Sequence, residues 1–281
     1  MDALLQNSLV PQIKLWLEED DLVRNIFYTK SLPSHEVELS LKIKSDLILA
    51  GTDYFIATFQ ALGVPAETFK NLSEYEGKQL AKGEVIALGK LPFAIALSAE
   101  RLALNLLAHG SSIATFTSLH VKKAKDLGIA ILDTRKTTPG LRSLEKYAVR
   151  VGGGFNHRFG QSDVWMIKDN HKTCLGGLQK AYEFFKNQRT FYNSMVVEIH
   201  SLVELKEAID LGIGHVMLDN FSPEDIRSAI KMKPEGMTYE ASGGIRLENI
   251  EQYLIRGLDA ISMGALTNAA PRVDISLKFK S

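Results

Sequence analysis

The sequence predicts an α/β protein in which a closed or nearly closed α/β barrel is preceded by a domain of mixed helices and antiparallel strands. From residue 128 onward, short apolar segments alternate with amphipathic helices. This alternation indicates a helix-covered parallel sheet, because such strands are buried on both faces. Before that point, residues 37–43 alternate apolar and polar, which is typical of a half-buried antiparallel strand. Residues 273–279 alternate in the same way, so the C-terminal tail is expected to return to the N-terminal sheet.

The N-terminal domain is expected to mix helices with antiparallel strands. Helical periodicity covers residues 4–19, and a strand pattern at residues 84–88 follows the one at 37–43. Leucines at helical spacing in residues 99–109 predict a helix that leads into the barrel. We therefore predict an N-terminal domain of residues 1–107 plus 268–281, and a barrel domain of residues 108–267.

Six apolar segments supply the predicted barrel strands. They are residues 128–133, 164–168, 195–199, 215–219, 237–241 and 260–264. Ser201 with Glu204 forms a capping box, and Ser222 followed by proline is a second helix start. Several strand–helix units in succession favour a closed or nearly closed barrel, with a doubly wound open sheet as the alternative.

Composition excludes several classes of partner. The chain of 281 residues has 33 Lys plus Arg and 33 Asp plus Glu, so no net charge attracts nucleic acid or an anionic membrane. The single cysteine, Cys174, excludes an internal disulfide. The N-terminus lacks signal-peptide features, and no apolar run approaches the roughly 18 residues of a membrane span. We expect a cytoplasmic protein.

Polar residues follow every predicted barrel strand. In an α/β barrel the carboxyl ends of the strands converge on one mouth, where active sites occur. The glycine-rich segment 152–160 adds a His-Arg pair to this mouth. The strand-end and segment residues are Asp133, Arg135, Lys136, His157, Arg158, Lys168, Glu198, Asp219, Ser242, Gly243, Gly244 and Gly264. So many local cations in a neutral chain predict a site for anionic ligands.

The glycines and acids of this mouth suggest two further contacts. Glycine-rich turns after the last two strands, at 242–244 and at Gly264, occupy the usual phosphate site of barrels. Glu198 and Asp219 have two interpretations. They are either salt-bridge partners of the cations, or they hold ribose hydroxyls or a Mg²⁺ that carries phosphates.

Several motifs together resemble the quinolinate phosphoribosyltransferase family. The motifs are AERLALNLLAHGSSIAT (99–115), LDTRKTTPGLR (132–142), EKYAV (145–149), GGGFNHR (152–158), IKDNH (167–171), VEI (197–199), MLDN (217–220), EASGGI (240–245) and ISMGALT (261–267). The resemblance implies the reaction of quinolinate with phosphoribosyl pyrophosphate to give nicotinate mononucleotide, pyrophosphate and CO₂, with Mg²⁺. It also implies an N-terminal α/β-sandwich (α+β) domain that takes in the C-terminal tail, followed by an incomplete (β/α) barrel. It further implies a homodimer with shared active sites, and leaves larger oligomers open.

The resemblance further implies a role for each matching residue. Arg135, Lys136, His157, Arg158 and Lys168 match the binders of the quinolinate carboxylates and pyrophosphate. Arg101 matches an arginine that crosses the dimer interface. Glu198 and Asp219 match the acids near ribose and Mg²⁺, and Ser242, Gly243, Gly244 and Gly264 match the cradle of the 5′-phosphate. Lys136, Lys168, Glu198 and Asp219 are the expected catalytic residues.

Two departures and two rival functions accompany this resemblance. Residues 18–29 lack the glycines of the family's acidic N-terminal segment, so the contact with a neighbouring subunit is expected to differ. Asn268 replaces a histidine, which predicts weaker affinity for phosphoribosyl pyrophosphate. The rivals are a related barrel protein associated with molybdenum uptake and a catalytically inactive paralogue that binds phosphosugars.

Overall fold

The computed structural model describes residues 3–20, 30–192 and 194–280. The chain divides into two compact units. The first comprises Met1–Phe116, Ser143–Gly152 and Ala270–Ser281, and the second comprises Thr117–Arg142 and Gly153–Ala269. The first unit thus takes in residues 108–116 and 143–152, which the predicted boundaries assign to the barrel domain, and the second unit takes in residues 268–269. Of the unusual segment 18–29, residues 21–29 lie outside the described residues.

The secondary structure contains both helices and strands in each unit. The helices are α1 (Ala3–Leu17), α2 (Thr52–Ala61), α3 (Lys70–Ser73), α4 (Phe93–Ala124), α5 (Arg142–Val151), α6 (Asp169–Leu175), α7 (Leu178–Gln188), α8 (Leu202–Asp210), α9 (Pro223–Lys231), α10 (Ile250–Tyr253) and α11 (Ala265–Asn268). The strands are β1 (Glu36–Ile43), β2 (Leu47–Ile48), β3 (Gln79–Leu80), β4 (Val85–Pro92), β5 (Ala130–Leu132), β6 (Trp165–Ile167), β7 (Met195–Ile199), β8 (His215–Asp219), β9 (Thr238–Ser242), β10 (Ala260–Ser262) and β11 (Ile275–Lys280).

The first unit is built on an antiparallel sheet of order β11-β1-β4. Leu41 of the central strand is fully buried and pairs with Leu277 and Ile86 on its two sides. The apolar face of the sheet shares one core with three phenylalanines, Phe55, Phe59 and Phe69, whose ring centroids lie 4.6–5.8 Å apart. The alternating patterns at residues 37–43, 84–88 and 273–279 therefore form this sheet, as predicted.

The second unit contains a six-stranded parallel sheet of order β5-β10-β9-β8-β7-β6. Strands β6 to β10 are neighbours in chain order, and β10 then pairs with β5, which is the strand order of a barrel. The barrel is incomplete because β5 and β6, although consecutive in the chain, lie at opposite edges. Phe155 pairs with β5 in this gap, since its N–H donates to the Ile131 carbonyl at 2.8 Å. The barrel prediction is confirmed, and the open-sheet alternative is wrong.

All six apolar segments form strands of this sheet, and the predicted caps begin the helices between them. The Ser201 hydroxyl accepts from the Glu204 N–H at 3.1 Å, and Ser222 accepts from the Asp225 N–H at 3.1 Å. Each cap satisfies a backbone N–H that the first helical turn leaves unpaired. Among the described residues, no helix combines the length and hydrophobicity of a membrane span.

Candidate active site

The strand ends of the barrel enclose a cavity of about 330 Å³. The period of two along each strand explains its lining, because buried Val197, Leu218 and Ala241 alternate with residues that face inward. The cavity is lined by Thr134, Arg135, Lys136, His157, Arg158, Met166, Lys168, Glu198, Met217, Asp219, Ser242 and Ser262. The structure therefore brings together eight of the predicted site residues from five strand ends and the glycine-rich segment.

A second cavity of about 350 Å³ shares four residues with the first, namely Arg135, Arg158, Met166 and Lys168. Its remaining lining is Gln161, Trp165, Asn170, His171 and Phe185. Trp165 and Phe185 meet edge to face, with ring centroids 5.6 Å apart. The shared cations thus lie between a cavity that also holds Lys136, Glu198 and Asp219 and a cavity that is lined by aromatic side chains.

Two guanidinium groups, Arg135 and Arg158, lie close together in the shared part. Burial, followed by repulsion from Arg135, lowers the pKa of Arg158. Arg158 Nη1 donates to the Val164 carbonyl at 3.1 Å, whereas the buried Arg135 Nε has no hydrogen-bond partner among the described residues. Two neighbouring cations repel each other, and one of their hydrogen-bond donors is unused. A bound anion would relieve the repulsion and accept from that donor.

Glu198 and Asp219 also line the first cavity. Lys168 Nζ donates to Glu198 Oε2 at 2.5 Å. Burial, with the nearby charge of Glu198, raises the pKa of Asp219. Asn220 Nδ2 donates to Asp219 Oδ2 at 2.8 Å and fixes that carboxylate. Lys168 and Glu198 therefore form an ion pair, whereas Asp219 has no direct lysine contact among the described residues.

A buried lysine, Lys172, supports this acidic side and was missed by the sequence analysis. Its Nζ donates to the Glu198 carbonyl at 3.1 Å and to the Glu204 carboxylate at 2.9 Å, and it lies 3.1 Å from Asp169 Oδ1. Although burial acts against it, hydrogen bonds from Lys172 and His200 lower the pKa of Asp169. No sequence signal indicated this burial, because the acceptors around Lys172 come from other parts of the chain.

His200 completes a possible metal-binding cluster with Asp169 and Glu198. Ligand atoms of these three residues all lie within 4.8 Å of one another. His200 Nε2 is 2.7 Å from Asp169 Oδ1, and its Nδ1 is 3.8 Å from Asp219 Oδ2. Carboxylate oxygens are the ligands that Mg²⁺ prefers, so Asp169 and Glu198 suit that ion, whereas the imidazole of His200 is a better ligand for transition metals. The predicted pair, Glu198 and Asp219, thus lies beside two donors, Asp169 and His200, that the sequence analysis did not select.

Two glycines of the expected phosphate cradle, Gly243 and Gly264, lie directly against other residues of the site. A Cβ on Gly243 would lie 2.3 Å from Asn220 Oδ1 and 2.7 Å from Asn220 N. A Cβ on Gly264 would lie 2.9 Å from Lys136 Cδ. Gly244 has a φ of +63°, and a Cβ at this position would meet no atom within 4 Å. Gly243 and Gly264 therefore give Asn220 and Lys136 the space that their positions require.

The His157–Arg158 pair is held by a buried aspartate, Asp133. Its carboxylate accepts from the His157 N–H at 2.8 Å and from Asn156 Nδ2 at 2.5 Å. Asp133 is fully buried at the end of β5. It therefore fixes the glycine-rich segment in the barrel gap, a role that the sequence analysis did not assign.

Arg101 belongs to the first unit, where it is an exposed residue of α4. All residues that line the two cavities belong to the second unit. The expected role of Arg101 across a dimer interface therefore stays a prediction.

An incomplete barrel whose strand ends gather lysines, arginines and two acids defines a phosphosugar-type enzyme site for anionic substrates. The chain belongs to the quinolinate phosphoribosyl transferase family. Residues 113–278 match the family's C-terminal domain and residues 26–111 match its N-terminal domain.

Relatives and solved structures agree with this assignment. The chain is 42% identical over 240 residues to a probable carboxylating nicotinate-nucleotide pyrophosphorylase of Bacillus subtilis, covering 85% of this chain and 82% of the relative. It is 37% identical over 292 residues to the carboxylating nicotinate-nucleotide pyrophosphorylase of Homo sapiens, covering 99% and 96%. The crystal structure of NadC from Streptococcus pyogenes matches with a TM-score of 0.83 and 35% identity, covering 95% and 96%.

Proposed function

We propose that this chain transfers the phosphoribosyl group of phosphoribosyl pyrophosphate to quinolinate with loss of CO₂. The products are nicotinate mononucleotide and pyrophosphate, and the reaction supplies de novo NAD biosynthesis. The observation that carries the proposal is the cavity in which Arg135, Arg158 and Lys136 face Glu198 and Asp219, in a chain that belongs to this family.

The cations are matched to the two substrates. Quinolinate carries two adjacent carboxylates, and Arg135 and Arg158 offer planar forks of donors that suit bidentate carboxylate contacts. Lys136 and Lys168 are compact point charges that suit the pyrophosphate. Two polyanions repel strongly in a partly buried pocket, so a cluster of cations is needed to bring them together.

The acids are suited to the charge that develops on the ribose. The bond from C1′ to pyrophosphate breaks, and the leaving group takes the electron pair. The ring nitrogen of quinolinate then forms the new bond to C1′, and Glu198 and Asp219 stabilise the positive charge of the ribose in between. The 2-carboxylate leaves as CO₂, and a solvent proton is added to the carbanion beside the pyridinium nitrogen. Positioning and electrostatics lower the barrier without a covalent nucleophile.

We infer that Mg²⁺ accompanies phosphoribosyl pyrophosphate into the acidic side of the cavity. Glu198 and Asp219 would hold it, with Asp169 and His200 adjacent. When bound, the ion neutralises charge on the pyrophosphate leaving group. Lys168, which contacts Glu198 in this structure, would then exchange that partner for a phosphate oxygen.

Release of ¹⁴CO₂ from quinolinate labelled in the 2-carboxylate tests the reaction. We expect release that depends on both phosphoribosyl pyrophosphate and Mg²⁺, with one nicotinate mononucleotide formed per CO₂. A protein of the molybdenum-uptake type, or an inactive phosphosugar-binding paralogue, would release none. Absence of release from well-folded protein with both substrates present would refute the proposal.

We further propose a homodimer in which Arg101 of one subunit completes the site of the other. Arg101→Ala and Lys136→Ala are each expected to be inactive alone. If Arg101 acts across the interface, mixing and reassembling the two variants restores about a quarter of wild-type activity, because half of the dimers then hold one intact site. No recovery, despite mixed dimers shown by mass spectrometry, would place Arg101 outside the partner's site.

A cytoplasmic location, without nucleic-acid or membrane partners, fits the balanced charge and single cysteine.

A further inference from the structure

A buried lysine outside both cavities joins helix α6 to the end of strand β7, which carries a site residue. Lys172 is 6% exposed and lines neither cavity. Its Nζ donates to the main-chain carbonyl of Glu198 at 3.1 Å and to the carboxylate oxygens of Glu204 at 2.9 and 3.1 Å, and it lies 3.1 Å from Asp169 Oδ1. An ammonium group has three donors, and these acceptors are enough for all of them. The contacts of Lys172 therefore use its ammonium group inside the protein rather than at a substrate.

The Glu198 carbonyl lies at the point where the pairing of β6 with β7 stops. The last residue pair of these two strands is Ile167 with Val197, so Glu198 is one residue beyond it. Helix α6 begins two residues after Ile167 and brings Lys172 to the carbonyl. Buried carbonyls need hydrogen-bond partners, because an unpaired one costs free energy. Lys172 therefore supplies a hydrogen bond to the main chain of Glu198 where β6 has already ended.

Glu204 extends this hold to the residue after β7. Its Oε2 accepts from the His200 N–H at 2.8 Å, and the same carboxylate accepts from Lys172. Lys172 and Glu204 together hold the main chain on both sides of Ile199, at the Glu198 carbonyl and at the His200 N–H. The direction in which the Glu198 side chain leaves the main chain is thereby fixed.

We propose that Lys172 is a positioning residue that fixes Glu198 in the cavity, with Glu204 as its partner. The carboxylate of Glu198 contacts Lys168, so a shift of the Glu198 main chain would disturb both groups. The effect on turnover rests on the proposed function, in which Glu198 stabilises the positive charge that develops on the ribose. A misplacement of about 1 Å can cost on the order of 100-fold in rate. We therefore expect a loss of kcat, whereas the KM for quinolinate, which depends on the two arginines, should change little.

Lys172→Met tests this role, because methionine keeps most of the apolar stem and removes the donors. We expect kcat, measured by ¹⁴CO₂ release, to fall roughly tenfold or more, with the KM for quinolinate within about twofold of the wild type. Lys206→Met is the matched control, since Lys206 is an exposed lysine of α8 that pairs with Asp210 at 3.1 Å, and it should leave both constants unchanged. If Lys172→Met does not fold, Lys172→Met/Glu204→Gln takes its place, because it leaves no unpaired charge. An unchanged kcat, or a rise in KM larger than the fall in kcat, would overturn the proposal.

A double-mutant cycle with Glu198→Gln separates positioning of Glu198 from a merely structural role. If Lys172 acts through the Glu198 carboxylate, Lys172→Met should lower kcat little further once that carboxylate is an amide. Effects that multiply in the double variant would overturn the proposal.

Hydrogen exchange of the His200 amide gives a measurement that does not depend on turnover. We expect exchange to be faster in Lys172→Met than in the wild type, because Glu204 loses the partner that holds it against this amide, and unchanged in Lys206→Met. Equal exchange in Lys172→Met and the wild type would overturn the proposal. Failure of the proposed function would be seen separately, as absent ¹⁴CO₂ release by the wild type.

Discussion

Gly243→Ala should damage the protein far more than Gly244→Ala, although the two glycines are adjacent. Both have positive φ, +98° and +63°, so both alanines are strained by about 1–2 kcal/mol. Only at Gly243 does the new Cβ meet fixed atoms, at 2.3 Å from Asn220 Oδ1 and 2.7 Å from Asn220 N. Asn220 cannot easily withdraw, because it has a φ of 56° and its N–H donates to the Ser242 carbonyl at 2.8 Å. Overpacking of this kind adds about 1–3 kcal/mol.

We therefore expect Gly243→Ala to lower the free energy of unfolding by about 3 kcal/mol or more, and Gly244→Ala by about 1 kcal/mol. Urea unfolding followed by circular dichroism measures both, with equal m-values as the check on two-state behaviour. Because Asn220 also orients the Asp219 carboxylate, kcat of Gly243→Ala should fall as well. Equal unfolding free energies for the two variants would refute the reasoning from the Asn220 contact.

Three further predictions concern charge in the site. Lys136→Ala should fold normally, with an unchanged urea midpoint, but lose roughly 100- to 1,000-fold in turnover, measured by ¹⁴CO₂ release. Asn268→His should lower the KM for phosphoribosyl pyrophosphate roughly three- to tenfold, because a charged donor to phosphate is stronger than an amide; an unchanged KM would dismiss Asn268 as a determinant of affinity. Burial raises the pKa of Asp219 in the folded state. Between the pKa of the unfolded chain and that of the folded state, the folded state therefore binds more protons. The wild type then loses stability as pH rises through this range. Asp219→Asn should accordingly be more stable than the wild type at neutral pH, with the difference vanishing in acid, while its activity falls; equal melting temperatures at both pH values would contradict this.

The barrel and its mouth could be predicted because both follow from local patterns. Fully apolar segments bounded by capped helices identify parallel strands, and parallel strands place their carboxyl ends at one edge. Lys168, Glu198 and Asp219 could be placed together without knowing any contact, since each lies at the carboxyl end of its own strand. The antiparallel sheet was equally accessible, because alternation at residues 273–279 has the same period as at residues 37–43.

The supporting contacts could not be predicted because they depend on which side chains meet across the barrel. Periodicity shows that Glu240 faces inward, but it does not show that His157 reaches it from the gap between β5 and β6. Likewise, Lys172 reads as a surface residue of a short helix, yet it is buried against Glu204 and the Glu198 carbonyl. A buried charge of this kind is tolerated only when several acceptors surround it, and those acceptors come from distant parts of the chain.

The residues that hold the cations and acids of the site in place do not neutralise the charge of these groups at the cavity. Arg135 and Arg158 repel each other in a partly buried setting, and burial together with Glu198 pushes Asp219 toward its neutral form, so these charges are unfavourable by themselves. Asp133, Asn220 and the two close-packed glycines hold these groups in place without cancelling their charge at the cavity. If the same cations were paired with acids of their own, the fold would be more stable, but each substrate would first have to break an ion pair. The uncompensated charge at the cavity is therefore what makes binding of two anionic substrates favourable.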